Sequence, residues 1–500
     1  MRTIAAGFAV LLLLQVPAPH AVTVQTADDL YRALASARGG QTILLQAGTT
    51  YVGNFVLPAR SESDTAVITI RTDVARLPEG RRITPAAARS LARIQSPNAQ
   101  PALATAAGTH NWTIELVEFG PNANGIGDII TLGDSSERSI AQVPSQLTLD
   151  RIYVHGDPVA GQKRGIALNS ASTKIINSYI SDIKTIGQDS QAIAGWNGPG
   201  GYLIQNNFLE AAGENVMFGG GDPAIIGLTP TDITVKNNTM SKPLAWRDPD
   251  APKWQIKNLF ELKNAASVVI ENNIFERNWP QAQSGYAILF TVRNQDGGCG
   301  WCQVRDVQFR NNIVRDVAAG FQILGIDPIA PSRQTTHVVI SNNVFDGIDK
   351  AKWGGDGYFL QITDNARDIT IDHNTIIQGE SSGLVKVASV TDAFTFTNNI
   401  GSHGDFGIIG ADHGVGNDSI RTYFPGAQIT ANVIAAGREA AYPPGNFFPS
   451  MDSFRAQFVN FDHHVYRLNA GSAWLHASQS GTALGADFSA LPQVAVPRSR

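Results

Sequence analysis

Short runs in which apolar and polar residues alternate recur down the chain, and most of them close on a pair of asparagines followed by an apolar residue. Val268-Val269-Ile270-Glu271 leads into Asn272-Asn273-Ile274, Val338-Val339-Ile340-Ser341 into Asn342-Asn343-Val344, and Ile369-Thr370-Ile371-Asp372 into His373-Asn374-Thr375. A period of two marks a strand with one buried face. The same pair stands at Asn206-Asn207-Phe208, Asn237-Asn238-Thr239, Asn311-Asn312-Ile313 and Asn398-Asn399-Ile400, and the second asparagines lie 31, 35, 39, 31, 31 and 25 residues apart. Repetition at that period predicts a solenoid. An amide buried at a coil corner is costly alone, but in a vertical column each amide donates to the carbonyl of the next, so the column satisfies itself. Such ladders hold parallel β-stacks together.

A second strand precedes the asparagine strand in each repeat, as in Asn215-Val216-Met217-Phe218, Leu259-Phe260-Glu261-Leu262-Lys263, Ile288-Leu289-Phe290-Thr291-Val292-Arg293, Phe321-Gln322-Ile323, Leu360-Gln361-Ile362-Thr363 and Val385-Lys386-Val387. Alternation turns Phe260 and Leu262 into the stack. It turns Glu261, Lys263, Met217, Arg293, Gln322, Gln361, Thr363 and Lys386 outward, so one outer face collects them. A slip of one residue would exchange the two faces.

Five hundred residues would ordinarily mean several domains, but a solenoid adds length without adding domains, and one domain over residues 22–490 is expected. Within it, residues 22–110 read as cap and first coils, 111–435 as regular coils, and 436–500 as a terminal coil and tail. The cap is an amphipathic helix from Ala27 to Ala37, which covers strand edges that an open stack would expose. Residues 1–21 read as a secretory signal peptide, with an early arginine, an apolar run from Ile4 to Leu14 and small residues near Ala18 and Ala21. That run is too short to span a membrane, so a secreted or periplasmic monomer is expected. Hydrophobic content of 43%, charged content of 16% and 48 glycines fit short buried strands and tight turns. A net charge of −5 without a basic run gives nucleic acid no footprint. Cys299 and Cys302 enclose Gly300-Trp301, and in an oxidising compartment they close a small disulfide loop or stay idle as thiols.

From about Ala27 to Leu484 the chain resembles the pectate-lyase-like superfamily of right-handed parallel β-helices, on the strength of the asparagine-pair coils and the cap helix with its first strand, Thr42-Ile43-Leu44-Leu45. The resemblance implies an all-β, single-domain right-handed parallel β-helix whose partner is a polysaccharide held in a groove along one face. Strands in register stand about 4.8 Å apart, so outward residues on neighbouring coils come within reach of one another. Glu214 or Asp222, then Glu261 and Lys263, then Arg293 are the candidate catalytic residues. Proton removal beside a uronate carboxylate needs a base and a cation or amide to hold the carboxylate. Lys263 and Arg293 supply base and clamp, with Glu261 as acid partner or calcium ligand. Hydrolysis would instead need two carboxyls, roughly 6.5–9.5 Å apart for inversion or 5–5.5 Å for retention. Glu214 or Asp222 with Glu261 offers that pair, so a lyase is preferred and a hydrolase is kept beside it. The competing class is a non-catalytic carbohydrate-binding or cell-surface β-helix. The plainest structural reading is a surface ion pair between Glu261 and Arg293, contributing about 0–1 kcal/mol.

Trp196, Trp246, Trp254 and Trp353 stand at strand ends or in the longer loops, where indoles make platforms for sugars or fill loop bases as core. With Arg247, Gln322 and Gln361 they form the expected substrate-binding set, although the two glutamines equally suit a solvated or ladder-like role. Polygalacturonase and main pectate-lyase signatures are absent, and Gly325-Ile326-Asp327-Pro328 resembles a mannuronan-epimerase segment with Ile329 where a histidine would stand. Chondroitinase-B-like and alginate lyases use a glutamate, a lysine and an arginine near calcium, similar in type to Glu261, Lys263 and Arg293. Calcium is therefore the one cofactor that the resemblance implies. His155, His373 and His403 lie on different coils without metal-ligand spacing, so no zinc site is expected.

Overall fold

The computed structural model describes residues 21–75 and 78–493. Its strands stack into three parallel sheets, which we call A, B and C, with 14, 13 and 12 strands. One coil shows the plan: Ala265–Glu271 lies in A, Ile274–Asn278 in B and Tyr286–Thr291 in C, before the chain re-enters A at Val304–Arg310. This is a parallel β-helix. Sequence reasoning found the A and C strands; the short B strand, directly after each asparagine pair, shows in sequence only as one apolar residue.

The asparagine pair makes the corner from A to B. Its first member takes left-handed backbone angles, with φ of 55° at Asn206, 57° at Asn237, 56° at Asn272 and 56° at Asn311. Asparagine tolerates that region better than other side-chain-bearing residues. His373 holds the same place with φ 50° and shares a 2.6 Å hydrogen bond with Asp372. The second member turns inward and is fully buried. Asn207 Nδ2 donates to Asn238 Oδ1 at 3.0 Å, Asn238 to Asn273 at 3.0 Å, Asn273 to Asn312 at 3.0 Å, and onward through Asn343, Asn374, Asn399 and Asn432 to Asn446. Each Oδ1 also accepts the backbone N–H of the preceding asparagine, as Asn312 Oδ1 does from Asn273 at 2.9 Å. Beside the ladder, phenylalanine rings fill the bore, with Phe309 and Phe321 edge to face at 4.9 Å and Phe345 and Phe359 at 4.8 Å.

The cap helix spans Ala27–Ala35, and Thr26 and Asp29 close a capping box at its start. Leu30, Ala33 and Leu34 are its buried face. At the other end the stack continues in part, with Asn446 in the last place of the ladder and Phe447 bridged in parallel to Val433. After Val433–Ala435 in sheet B, residues 451–491 fold back as a helix and an antiparallel hairpin, Phe458–Asn460 with Val465–Leu468, over the outer face of B. Phe454, Phe458, Tyr466, Trp474 and Leu484 pack there on Val344, Ile377, Ile400 and Val433. Near the first coils, residues 82–91 also lie on B. Ile83, Ala88 and Leu91 pack beside Tyr153 and Tyr179, and Arg82 donates to the carbonyls of Asn206 and Asn237. Cys299 and Cys302 are bonded and buried. The stretch read as a signal, apart from Ala21, lies outside the described residues. Among those described, no helix is long and apolar enough to cross a membrane.

Replacing Asn312 by alanine removes the acceptor of both the Asn273 N–H and its side-chain amide. With two buried groups orphaned at about 1–3 kcal/mol each, urea unfolding should show a loss of roughly 2–6 kcal/mol. Asn311→Gly, at a half-buried corner with φ 56° where Asn311 Oδ1 accepts from Asn342 Nδ2 at 2.7 Å, should cost about 0.5–1.5 kcal/mol, less than the ladder substitution.

Candidate functional site

Sheet B is covered at both ends, and the candidate residues gather on the outer side of sheet C. Strand register there runs Met217, Glu261, Leu289, Gln322, Gln361, Lys386 on six successive coils. Phe260 and Leu262, on either side of Glu261, lie in the core. The alternation therefore sorted Met217, Glu261, Gln322, Gln361 and Lys386 onto one row as expected. Leu289 takes the place beside Glu261 in that row, and Arg293, two residues past the end of its strand with Val292 in the core, keeps 29% of its side chain exposed.

A second row stands three residues ahead of the first. Asp128, Arg164, Gln191, Glu214 and Asn258 pair in register on five successive coils. Their side chains form a hydrogen-bonded chain: Arg164 donates to Asp128 at 2.9 Å and to Gln191 Oε1 at 3.0 Å, and Gln191 Nε2 donates to Glu214 Oε2 at 2.9 Å. Sequence reasoning missed this row apart from Glu214. The available signal was the offset itself, since Asn258 precedes Glu261 by the three residues that separate Glu214 from Met217.

The two rows meet in a polar cluster. Glu261, 1% exposed, receives Lys263 Nζ at 3.0 Å, Thr291 Oγ1 at 2.9 Å and Asn258 Nδ2 at 3.1 Å. Glu214 has no exposed surface, and the Lys257 ammonium stands 3.5 Å from its Oε1 while ion-pairing with Asp189. Burial first, and the charge of Glu261 next, push the Glu214 carboxyl up to about 7. Burial opposes the Lys257 charge, but Glu214 and Asp189 outweigh it and leave its pKa above the ordinary lysine value. Glu214 Oε1 and Asn258 Oδ1 are both buried and accept no hydrogen bond. Glu214 Oε1 has only the Lys257 ammonium at 3.5 Å and Asn258 Oδ1 has no donor, and buried acceptors without hydrogen bonds are costly unless something else meets them.

The remaining candidates lie elsewhere. Arg293 donates to Asp327 at 2.7 Å, so the expected Glu261–Arg293 pair does not form. Burial works against the Asp327 charge, yet the N–H groups of Ile329 and Asn294 together with Arg293 hold that carboxyl below its ordinary range. Asp222 does not join Glu261; it accepts the N–H groups of Asp296 at 3.1 Å and Gly298 at 2.7 Å and so ties two loops on the sheet C to A side. Trp246, Trp254 and Trp353 are not open platforms. With Trp279 they form one packed cluster on the loops from B to C, where Trp254 and Trp353 are buried. Lys184 sits 5.4 Å over Trp246 and 5.2 Å over Trp254, and Arg247 sits 5.0 Å over Trp353 while donating to the Lys352 carbonyl. Trp196 alone of the four flanks the rows from the C to A side, with its Nε1 on Ser135 Oγ at 2.8 Å and Arg164 4.9 Å over its ring. Further along, Tyr286 and Tyr358 pack with Leu289 and Ile409, and Tyr286 hydrogen-bonds Asp356 at 3.1 Å.

No protein-family model matches the chain, and comparison with curated proteins gives no match. Solved structures do match. The PL6-family alginate lyase AlyGC superposes with a TM-score of 0.51 at 12% identity, covering 94% of this chain and 57% of AlyGC. A mannuronic-acid-specific family 6 polysaccharide lyase from human gut microbiota gives 0.52 at 13% identity, covering 85% of this chain and 91% of the other. The chain thus spans little more than half the length of AlyGC, and the likeness to both is one of fold.

An unfolded glutamate ionises near 4.5, whereas folded Glu214 keeps its proton to about 7. Between those values the folded state binds the extra proton, so stability falls as pH rises and the full cost stands above about 7. Urea unfolding in EDTA, compared between about pH 5 and about pH 8, should show the parent losing stability relative to Glu214→Gln. Parallel curves would mean that Glu214 ionises normally.

Proposed function

We propose that the chain is a polysaccharide lyase that breaks a uronate-containing glycan by β-elimination on the outer face of sheet C. The observation that carries this reading is the cluster of Glu214, Asn258 and Glu261, with its two unpaired buried oxygens, beside the Lys263 ammonium. The superposed solved structures include an alginate lyase and a mannuronic-acid-specific lyase, which supports an acidic glycan as substrate. Such a polymer lies outside cells, in keeping with the leader read in residues 1–21.

Calcium fits the donor set. Oxygen-only ligation suits a hard cation, and Glu214 Oε1 and Asn258 Oδ1 are acceptors without hydrogen-bond donors, next to the Glu261 carboxylate. Calcium takes about six to eight oxygens, which leaves places for water and a substrate carboxylate. Among the described residues no three His, Cys, Asp or Glu side chains form a metal cluster, and the proposed set is two carboxylates with the Asn258 amide oxygen. When bound, the ion neutralises the uronate carboxylate and favours loss of the proton from the carbon next to it. Lys263 Nζ, which stands 3.0 Å from Glu261 Oε1, takes that proton after giving one of its own to solvent. The new electron pair forms the ring double bond, the bond from the next carbon to the glycosidic oxygen breaks, and the leaving oxygen takes a proton from water, which the proton held by Lys263 then restores. Arg293 keeps 29% of its side chain exposed one coil on, and clamps a neighbouring uronate. Trp196 on one side and the Gln322, Gln361 and Lys386 row along the sheet bind further sugars.

A second reading has its own observation. Glu214, protonated to about 7 beside the ionised Glu261, is an acid and carboxylate pair of the kind that hydrolyses glycosides. Products separate the two. Incubation with alginate and with a panel of other acidic and neutral polysaccharides should give ultraviolet absorbance from unsaturated uronate ends. Lys263→Ala and Glu261→Gln should each cut that rate by about 10²–10⁴-fold, and EDTA should remove it. Reducing ends without the absorbance would establish hydrolysis. Binding without either product would make the chain a carbohydrate-binding protein and refute the lyase.

A further inference from the structure

Lys242, directly after the sheet B strand Thr239–Ser241, has no exposed surface. Its Nζ lies 2.8 Å from the Ala211 carbonyl, 2.9 Å from that of Ala212, 2.8 Å from that of Gly213 and 3.0 Å from that of Asn258, with Asn215 Oδ1 at 3.4 Å. Burial alone pushes this amine down to about 7, with Glu214 and Glu210 opposing. The cage decides for the charged form. A neutral amine would turn its lone pair on at least one carbonyl, whereas an ammonium shares three hydrogens among all of them.

These oxygens come from the residues that lead into and follow Glu214 and from Asn258 itself, on two adjacent coils. Without a cation between them, four carbonyls would converge on one another in a dry space, and the starts of the two strands would part. The neighbouring Asn215 side chain shares the same tie, since its Nδ2 donates to the carbonyls of Leu209 and Ser241.

We propose that Lys242 is the positioning residue of the candidate site, pinning the starts of the strands that carry Glu214 and Asn258 and so setting the spacing of Glu214 Oε1 and Asn258 Oδ1. This rests on the reading above that those oxygens hold a cation. Lys242 touches neither the cation nor the glycan. It acts through the main chain, as supporting groups around metal ligands do. An inert interior strut would instead lower stability and leave the affinity of the site alone.

The test uses the full chain and terbium(III), whose luminescence reports binding without turnover. In Lys242→Met, of similar length but without charge or donors, terbium affinity should fall by about 10-fold to 100-fold, and kcat on alginate should fall with KM within about threefold. In Lys242→Ala, ammonium chloride present during refolding should recover part of the terbium affinity, and an equal concentration of sodium chloride should not. Terbium affinity in the folded methionine variant within about twofold of the parent overturns the inference while leaving the lyase reading intact. So does an alanine variant that ammonium fails to improve, including one that does not fold in either salt. A parent chain that binds no terbium overturns the cation and this inference together, and absence of turnover with terbium binding retained counts against the lyase alone.

Discussion

Register is the constraint on which the rest depends, and the asparagine ladder imposes it. A second asparagine shifted by one residue would leave the stack, and its neighbours on either coil would lose acceptors in a region with no water to replace them. The ladder therefore fixes where each A strand ends and each B strand begins, and through the coil it fixes the phase of C. Glu261 faces outward because Asn273, on the same coil, faces inward. The two rows on sheet C inherit their alignment from amides on the other side of the bore.

The stack makes vertical rows, and a row brings like charges together at about 4.8 Å unless the sequence alternates them. Most rows here do alternate. On sheet A, Glu115 sits between Arg71 and Arg151 at 3.2 and 3.0 Å, and Arg310 meets Glu271 at 2.9 Å, ordinary surface pairs of small worth. The cluster on sheet C breaks the pattern. Glu214 and Glu261 stand on consecutive coils, both buried, with their lysines beside them rather than between them. That arrangement raises the cost of the ionised state, shown by the displaced Glu214 carboxyl, and it leaves Glu214 Oε1 and Asn258 Oδ1 without donors. Two such acceptors on consecutive coils, beside a second carboxylate, are the kind of local departure from stability that functional sites display.

What could be read from sequence follows from how far each signal travels along the chain. The corner needs two adjacent asparagines and the ladder a repeat of them, so coils, cap and the Glu261 row were legible. The match at Ala431-Asn432 was weaker because alanine takes the left-handed place, with φ 56°, yet the ladder continues through Asn432. Alternation turned Arg293 outward and Val292 inward, but the pairing of Arg293 with Asp327 could not be read because Asp327 lies on another coil. Trp246, Trp254 and Trp353 were misjudged because clustering in loops does not say whether rings face solvent or one another; Lys184 and Arg247 lie over them and close the question. Lys242, Lys257 and Asn258 went unseen because their partners lie on other coils, and the loop between Lys242 and Lys257 shows no periodicity that would reveal where each end points. The fold-back of residues 451–491 was hidden for the same reason.

The choice of sheet for the site also has a physical cause. The outer face of B is apolar in both halves: Val344, Ile377 and Ile400 would lie exposed without the C-terminal hairpin, as would the Tyr153 and Tyr179 region without the insertion at Ile83 to Leu91. The chain covers B with its own segments, and Asp346 fastens one of them through Tyr466 at 2.8 Å and His464 at 2.9 Å. Sheet A carries much of its charge in pairs such as Arg71 with Glu115 and Arg310 with Glu271. Sheet C receives the long loops from B on one edge and sends the loops towards A from the other, with Asp222 and the Cys299–Cys302 bond stiffening the second set. Among the described residues there, the buried Glu214 and Asn258 oxygens, the Lys263 ammonium and the Glu261 carboxylate meet between loops.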